Sequence, residues 1–206
     1  FVGRVSLNHD TRVYTITPRH SVYLKICEGC VNHCSYCVIP HIKGKFTSLD
    51  EKSVVEQVKR FDAERVSELT IVGQDITGYG FDSGRKNGLA GLLKKILPYS
   101  GHIPWVRLLY LYPSRITDEL VRVIADSPRV CKYIDMPIQH VNDRILARMN
   151  RKTRKSDIMK IIEKVRRRIP QVALRTSVIV GFPSETEKEF QELLHFVKEM
   201  QFERLG

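Results

Sequence analysis

Two apolar rhythms alternate along this chain. Short continuous apolar runs are each followed by a stretch whose apolar residues recur three or four apart. The first run, Val22-Tyr23-Leu24-Lys25-Ile26, reads as a buried strand. Residues 48–65 then carry Val54, Val55, Val58 and Phe61 on one helical stripe, and Ser48 with Glu51 predicts a capping box. The alternation continues with a strand over 69–73, a helix over 89–97 stopped by Pro98, and a strand over 105–111 closed by Tyr112-Pro113. A helix over 117–125 precedes a strand over 132–136 that ends at Pro137. Helical structure follows over 142–149 and 156–169, the latter with Ile158, Ile161, Ile162, Val165 and Ile169 on one face. A strand over 173–180, a helix over 184–200 and the start of a sixth strand over 202–206 complete the pattern. Residues 1–22 lack clean periodicity and are expected to be a linker or arm, which leaves 23–206 as the core.

Strand and helix in strict alternation predict an α/β fold with a parallel sheet and outer helices. Such sheets carry their sites at the carboxyl ends of the strands. The cysteine-bearing loop after the first strand, Gln74-Asp75, Gln139-His140 and Gly181-Phe182-Pro183 all fall at those ends.

Composition narrows the setting. The chain of 206 residues is 42% hydrophobic and 28% charged, ordinary for a globular domain, with no apolar run long enough to span a membrane. No signal peptide is visible at Phe1, and the absence of an initiator methionine suggests an excised segment. Lys and Arg number 34 against 23 Asp and Glu, a net charge of +11 that favours an acidic or nucleic-acid-rich environment. The basic stretch Arg151, Lys152, Arg154, Lys155, Lys160, Lys164, Arg166, Arg167 and Arg168 is read as a solvated helix face, with a ribosome-facing patch as the functional alternative. The five cysteines do not form a secreted disulfide pattern, and a reducing cytoplasm fits them.

Cys30, Cys34 and Cys37 are spaced C-x3-C-x2-C, with Tyr36 before the last. Iron–sulfur clusters are held by cysteine thiolates on such short loops. Three thiolates for four irons leave one iron open to bind a small molecule. Cys27 extends the run to four thiols, which also admits zinc, although structural zinc sites usually separate their two pairs by about a dozen residues or more. Cys27 itself reads as a buried thiol ending the strand, and Cys131 as core. Lys43 and Lys45 lie just after the loop, either near an anionic cluster or simply solvated.

The cysteine spacing, with its aromatic residue and preceding strand, resembles the signature of radical S-adenosylmethionine (SAM) enzymes. From Tyr23 to Gly206 the chain is similar to the core of the methylthiotransferase family. That similarity rests on Glu28-Gly29-Cys30, on Arg175-Thr176-Ser177-Val178-Ile179-Val180-Gly181-Phe182-Pro183 and on Glu185-Thr186. Gln74-Asp75-Ile76-Thr77-Gly78-Tyr79-Gly80, Tyr110-Leu111-Tyr112-Pro113 and Asp135-Met136-Pro137-Ile138-Gln139-His140 resemble the branch that modifies an aspartate of a small-subunit ribosomal protein. The branch that modifies tRNA adenosine is the alternative, and a zinc-stabilised basic nucleic-acid-binding module without catalysis is the second. Three departures stand out. Val31 separates Cys30 from Asn32, Cys27 stands where a small or apolar residue is common, and Ser184 replaces a usual glycine, where it is expected to cap the last helix.

The resemblance implies a partial, open TIM-like β/α barrel in which Cys30, Cys34 and Cys37 hold a [4Fe–4S] cluster and SAM chelates the open iron. Reductive cleavage of SAM would give a deoxyadenosyl radical that takes hydrogen from the aspartate β-carbon. It implies further that Tyr36, Gly73, Gln74, Gln139, Arg175, Val180 and Gly181 bind SAM and that His140 contacts substrate. A second [4Fe–4S] cluster belongs to an amino-terminal domain outside this chain. The implied partners are the ribosomal protein, alone or within the ribosome, and an electron donor such as flavodoxin or ferredoxin, with no membrane association.

Overall fold

A computed structural model describes residues 18–206. The expected arm over 1–22 lies mostly outside the described residues, and its last two positions, Ser21 and Val22, already belong to the first strand. The elements run β1 (Ser21–Lys25), β2 (Cys27–Glu28), α1 (Ile39–Lys43), β3 (Thr47–Ser48), α2 (Glu51–Ala63), β4 (Glu68–Val72), α3 (Gly88–Ile96), β5 (Trp105–Leu108) and α4 (Asp118–Asp126). They continue as β6 (Tyr133–Asp135), α5 (Asp143–Arg148), α6 (Lys155–Arg168), β7 (Ala173–Thr176), α7 (Glu187–Met200) and β8 (Arg204–Leu205). Short 3-10 turns follow β4, α3 and β5.

Strands β1, β4 and β5 form one parallel sheet in that order, and β6, β7 and β8 form another. The two meet between β5 and β6, where Val106 bridges Val130 and the Leu111 amide donates to the Asp135 carbonyl at 2.8 Å. Neighbours in space are therefore neighbours in sequence, and the wall curves without closing. This is the expected open β/α barrel. Alternation along each strand sends Val22, Leu24, Leu69, Ile71, Val106, Leu108, Ile134 and Leu174 into one core. Helices cover that face with Val58 and Phe61 of α2, Leu92 and Ile96 of α3, Ile124 of α4, Ile162 and Val165 of α6, and Leu193 and Phe196 of α7.

Three expectations need correction. Asp50, not Ser48, caps α2, its Oδ1 accepting from the Ser53 amide at 2.9 Å. Ser48 instead ties β3 to the loop after β4, bonding Asp82 and accepting from the Gly80 amide. Ser184 does not cap α7; Thr186 does, in a capping box with Glu189. The strands after β4 also stop short. β5 ends at Leu108 because Tyr110 adopts a φ of +62°, and β7 ends at Thr176, opposite the bend made by Gln139 at +70°.

Ser184 sits at φ +73°, a region that L side chains disfavour and glycine enters freely. Ser184→Gly is therefore expected to stabilise the chain by about 1 kcal/mol. Thermal unfolding of the two forms checks it, and a lower midpoint for the glycine variant would contradict it.

Candidate active site

The cysteine loop is closed at its base by antiparallel pairing of β2 with β3. Gly29 begins it at φ +76°, where a Cβ would lie 3.2 Å from backbone atoms of Gly44, Lys45 and Phe46. Only glycine fits that approach. The outer limb is pinned by the end of α5: Ser35 donates from its amide to the Met149 carbonyl and from Oγ to the Arg148 carbonyl, and Asn150 donates to the His33 carbonyl. These contacts hold the thiols of Cys30, Cys34 and Cys37 at the carboxyl end of the sheet.

The three thiols line one cavity of about 290 Å³, at the small end of ligand pockets and open on one side. Facing them are Gln74 from the end of β4, Tyr110 to Tyr112 from the end of β5, Pro137 and Gln139 from the end of β6, and Arg175 and Ser177 from β7. Asn32, Tyr36, Asp75 and Arg151 complete the lining. Four distant stretches of sequence thus meet the cysteine loop where a parallel sheet places its site.

Cys27 is not among the lining residues. Its thiol is buried beneath Gly73 and donates to the Asp75 carbonyl at 3.8 Å. Burial pushes its pKa up to about 12, so it is a neutral thiol. Structural zinc needs four converging donors. Among the described residues no three His, Cys, Asp or Glu side chains converge on a single-ion site. A Cβ on Gly73 would stand 2.4 Å from the Cys27 sulfur. Gly73→Ala is therefore expected to cost about 1–3 kcal/mol by overpacking. Adding Cys27→Ala removes that sulfur and should return most of the loss, as urea denaturation of the single and double variants would show.

Of the residues expected to bind SAM, the cavity gathers Tyr36, Gln74, Gln139 and Arg175. Gln74 approaches Glu28 through Nε2, while its Oε1 is a buried acceptor with no partner. Arg175 pairs with the buried Asp135 at 2.7 Å, which keeps the guanidinium beside the cavity. Tyr36 receives a hydrogen bond on its hydroxyl from Arg151, and burial pushes its pKa up. Gly73, Val180 and Gly181 do not line the cavity: Gly73 packs on Cys27, Val180 is exposed, and Gly181 borders open space. His140, expected to contact substrate, does not line it either. Its imidazole is wholly buried, accepts from the Asn142 amide at 2.9 Å and lies 3.2 Å from Glu185. That pair, with Arg144–Glu189 and Asn142–Glu192, fastens the β6–α5 loop to the start of α7.

Several residues of the site were given no role in it by the sequence. Asp75 is buried and accepts from Arg115, Asn32 and Thr77. Arg115 and Arg151 both lie over the Tyr112 ring, each 4.5 Å from its centroid. Arg151, counted in the basic stretch, is instead buried and donates to the Pro137 carbonyl. Its Nε has no partner, and no ion pair is found for it among the described residues. Lys43 is committed to Glu28 at 3.2 Å. Burial would raise the Glu28 carboxyl, but Lys25 and Lys43 outweigh it and hold it below the usual range. Four others of the basic stretch are used within the fold, in Lys155–Glu192, Lys164–Asp118, Arg168–Asp126 and the Arg166 bond to the Met200 carbonyl. Cys131 is half-buried at the β5–β6 junction rather than in the core.

Comparison with known proteins agrees with this arrangement. Curated relatives named ribosomal protein uS12 methylthiotransferase RimO include one from Geotalea uraniireducens, 48% identical over 190 residues, covering 92% of this chain and 42% of the relative. Another, from Clostridium acetobutylicum, is 46% identical over 201 residues, covering 98% and 45%. The chain thus spans less than half the length of the relatives it matches. Among solved structures, the radical SAM methyltransferase TsrM from Kitasatospora setae, with tryptophan and a SAM analogue bound, superposes with a TM-score of 0.73 at 17% identity, over 91% of this chain and 36% of that one. Methylornithine synthase superposes with a TM-score of 0.61 at 7% identity, over 90% and 51%. At those identities the likeness concerns the fold. No helix among the described residues is long and apolar enough to cross a membrane. The family model described as the radical SAM superfamily matches residues 24–197, from β1 through most of α7, and so takes in the open barrel and its thiol-lined mouth together. This chain belongs to the radical SAM superfamily.

Proposed function

We propose that the chain is the radical SAM core of a methylthiotransferase acting on the β-carbon of an aspartate in ribosomal protein uS12. The observation that carries the chemistry is the meeting of three free thiols with an unpartnered acceptor in one cavity. The substrate assignment is supported by the relatives named uS12 methylthiotransferase at 43–48% identity.

The residues present fit the family's cluster and SAM. Cys30, Cys34 and Cys37 supply a three-thiolate donor set, and Cys27 is turned away from it. The orphaned Oε1 of Gln74 is an acceptor suited to an ammonium group. When bound, cluster and SAM supply one-electron cleavage of the sulfonium and the hydrogen abstraction that follows. The protein's part is binding, orientation and exclusion of water. Gln74 would accept from the amino group of SAM, and Gln139 and Arg175 would donate to its ribose or carboxylate. Tyr36 would pack near the adenine. Arg151, buried without a carboxylate partner, would offset the negative charge of three thiolates. Leu111, Tyr112 and Pro137 give the cavity an apolar side that shields a reactive carbon from water. A second [4Fe–4S] cluster is carried by another domain of the whole protein, and a flavodoxin or ferredoxin delivers the electron in the cytoplasm.

Anaerobic reconstitution tests this reading. The 206-residue chain is expected to bind about four irons with sulfide and to convert SAM to methionine and 5′-deoxyadenosine under reductant. It is not expected to complete methylthio transfer, because the relatives' additional length is required. Zinc at about one per chain with no iron would support the binding-module alternative and overturn the proposal. The full-length protein is expected to modify uS12; modification of tRNA instead would move the assignment to the other branch.

A further inference from the structure

Asn32 occupies an unusual position beside Cys30. Its backbone amide and its side-chain Nδ2 each lie 3.4 Å from the Cys30 sulfur as donors. The same Nδ2 donates to Asp75 Oδ2 at 2.7 Å. On its other side, Asn32 Oδ1 accepts from Arg115 Nη2 at 2.7 Å, and Arg115 Nη2 also meets Asp75 Oδ2 at 2.5 Å. A guanidinium only donates and a carboxylate only accepts. Together they fix which end of the Asn32 amide faces which way. A flipped amide would set its NH2 against Arg115 and its oxygen against both Asp75 and the sulfur. The grip is itself held: Asp75 Oδ1 accepts from Thr77, and Arg115 stacks on Tyr112.

We infer that the Asp75–Arg115 pair locks Asn32 as a two-donor hydrogen-bond clamp on the Cys30 sulfur, and that this clamp raises the reduction potential of the cluster the sulfur holds. The inference rests on the proposed cluster and deepens it. The physical reason is charge. Reduction adds an electron to the cluster and negative charge to its thiolates. N–H groups aimed at a ligating sulfur stabilise the reduced form more than the oxidised one. The Asn32 side chain meets the Cys30 sulfur, whereas the side chain hydrogen-bonded to the Cys34 sulfur is Tyr36, so the Asn32 effect falls on the Cys30 corner. Asn32 is thus a positioning and tuning residue, two bonds removed from the irons.

The test uses the reconstituted chain and reads potential rather than turnover. Iron and sulfide are measured first in the parent and in Asn32→Ala, which keeps the backbone donor and lies on a half-buried loop. Redox titration followed by the reduced-cluster paramagnetic signal then gives the midpoint. Losing the side-chain donor is expected to lower the reduced-to-oxidised ratio at fixed potential by about threefold to tenfold, the scale of part of one charge-assisted hydrogen bond. Asn32→Asp, which places an acceptor where the donor was, is expected to lower it further. Asn32→Gln, if it restores a donor, moves the midpoint back toward the parent. Equal midpoints in the parent and Asn32→Ala, at equal iron content, would overturn the clamp while leaving the cluster assignment intact. Absence of iron in the parent itself would overturn both.

Discussion

Cys34→Ala is expected to remove the bound iron and, with it, all reductive cleavage of SAM. A [4Fe–4S] cluster carried on three thiolates has no spare ligand to lose. The fourth thiol nearby cannot substitute. Cys27 is held under Gly73 by packing, its proton is retained by burial, and its sulfur does not reach the cavity. Iron should therefore fall from about four per chain to background in Cys30→Ala, Cys34→Ala or Cys37→Ala. In Cys27→Ala it should be unchanged, at a cost of about 1 kcal/mol in stability for the lost buried sulfur. Iron analysis and 5′-deoxyadenosine release on the four variants check this together. Retention of iron by any of the three, or its loss from Cys27→Ala, would mean that the ligand set is misassigned.

Asp75→Ala should be the most destabilising single change at the site. Asp75 is 3% exposed and satisfies Arg115, Asn32 and the Thr77 amide at once. Removing it strands a largely buried guanidinium whose Nε already has no partner. Breaking such a pair from one side costs about 3–5 kcal/mol, because a charge is left without compensation. Against a typical total of about 5–15 kcal/mol, that is a large fraction. The expected result is a fall of about 10 °C in the unfolding midpoint. Arg115→Met alone should also destabilise, by leaving the Asp75 carboxylate unpaired. The double variant should be milder than the sum, since neither charge is then stranded. Additive losses across that cycle would show that the two residues do not act as a pair.

The alternation of strands and helices was legible because each element announces itself over a few residues. Apolar runs marked β1, β4, β5, β6 and β7, and stripes such as Ile158, Ile162 and Val165 marked the helices that cover them. The cysteine loop was legible for the same reason: its ligands are close in sequence. Errors gathered where a local preference had a distant competitor. Ser48 and Glu51 make a good capping box in isolation, yet Ser48 was drawn to Asp82 and Gly80 across the loop. Tyr110 looks like a strand residue, yet it adopts the left-handed region and ends the strand early. His140 stands beside a cavity residue in sequence, but the bend at Gln139 turns it into the core.

The chain's own pattern was enough to establish an α/β fold with a parallel sheet, to place its functional edge at the carboxyl ends of the strands, and to single out three thiols there; the open barrel was what the family resemblance implied. Hydrophobic periodicity and short-range ligand spacing are local properties, and a chain carries them wherever it is. Which side chains share the cavity was a different matter. Asn32, Asp75, Arg115 and Arg151 come from turns far apart in sequence, and nothing in their spacing relates them. Only the parallel wall, by bringing the ends of β4 and β5 and the turn after α5 against one loop, makes a clamp of the first three and a buried cation of the last.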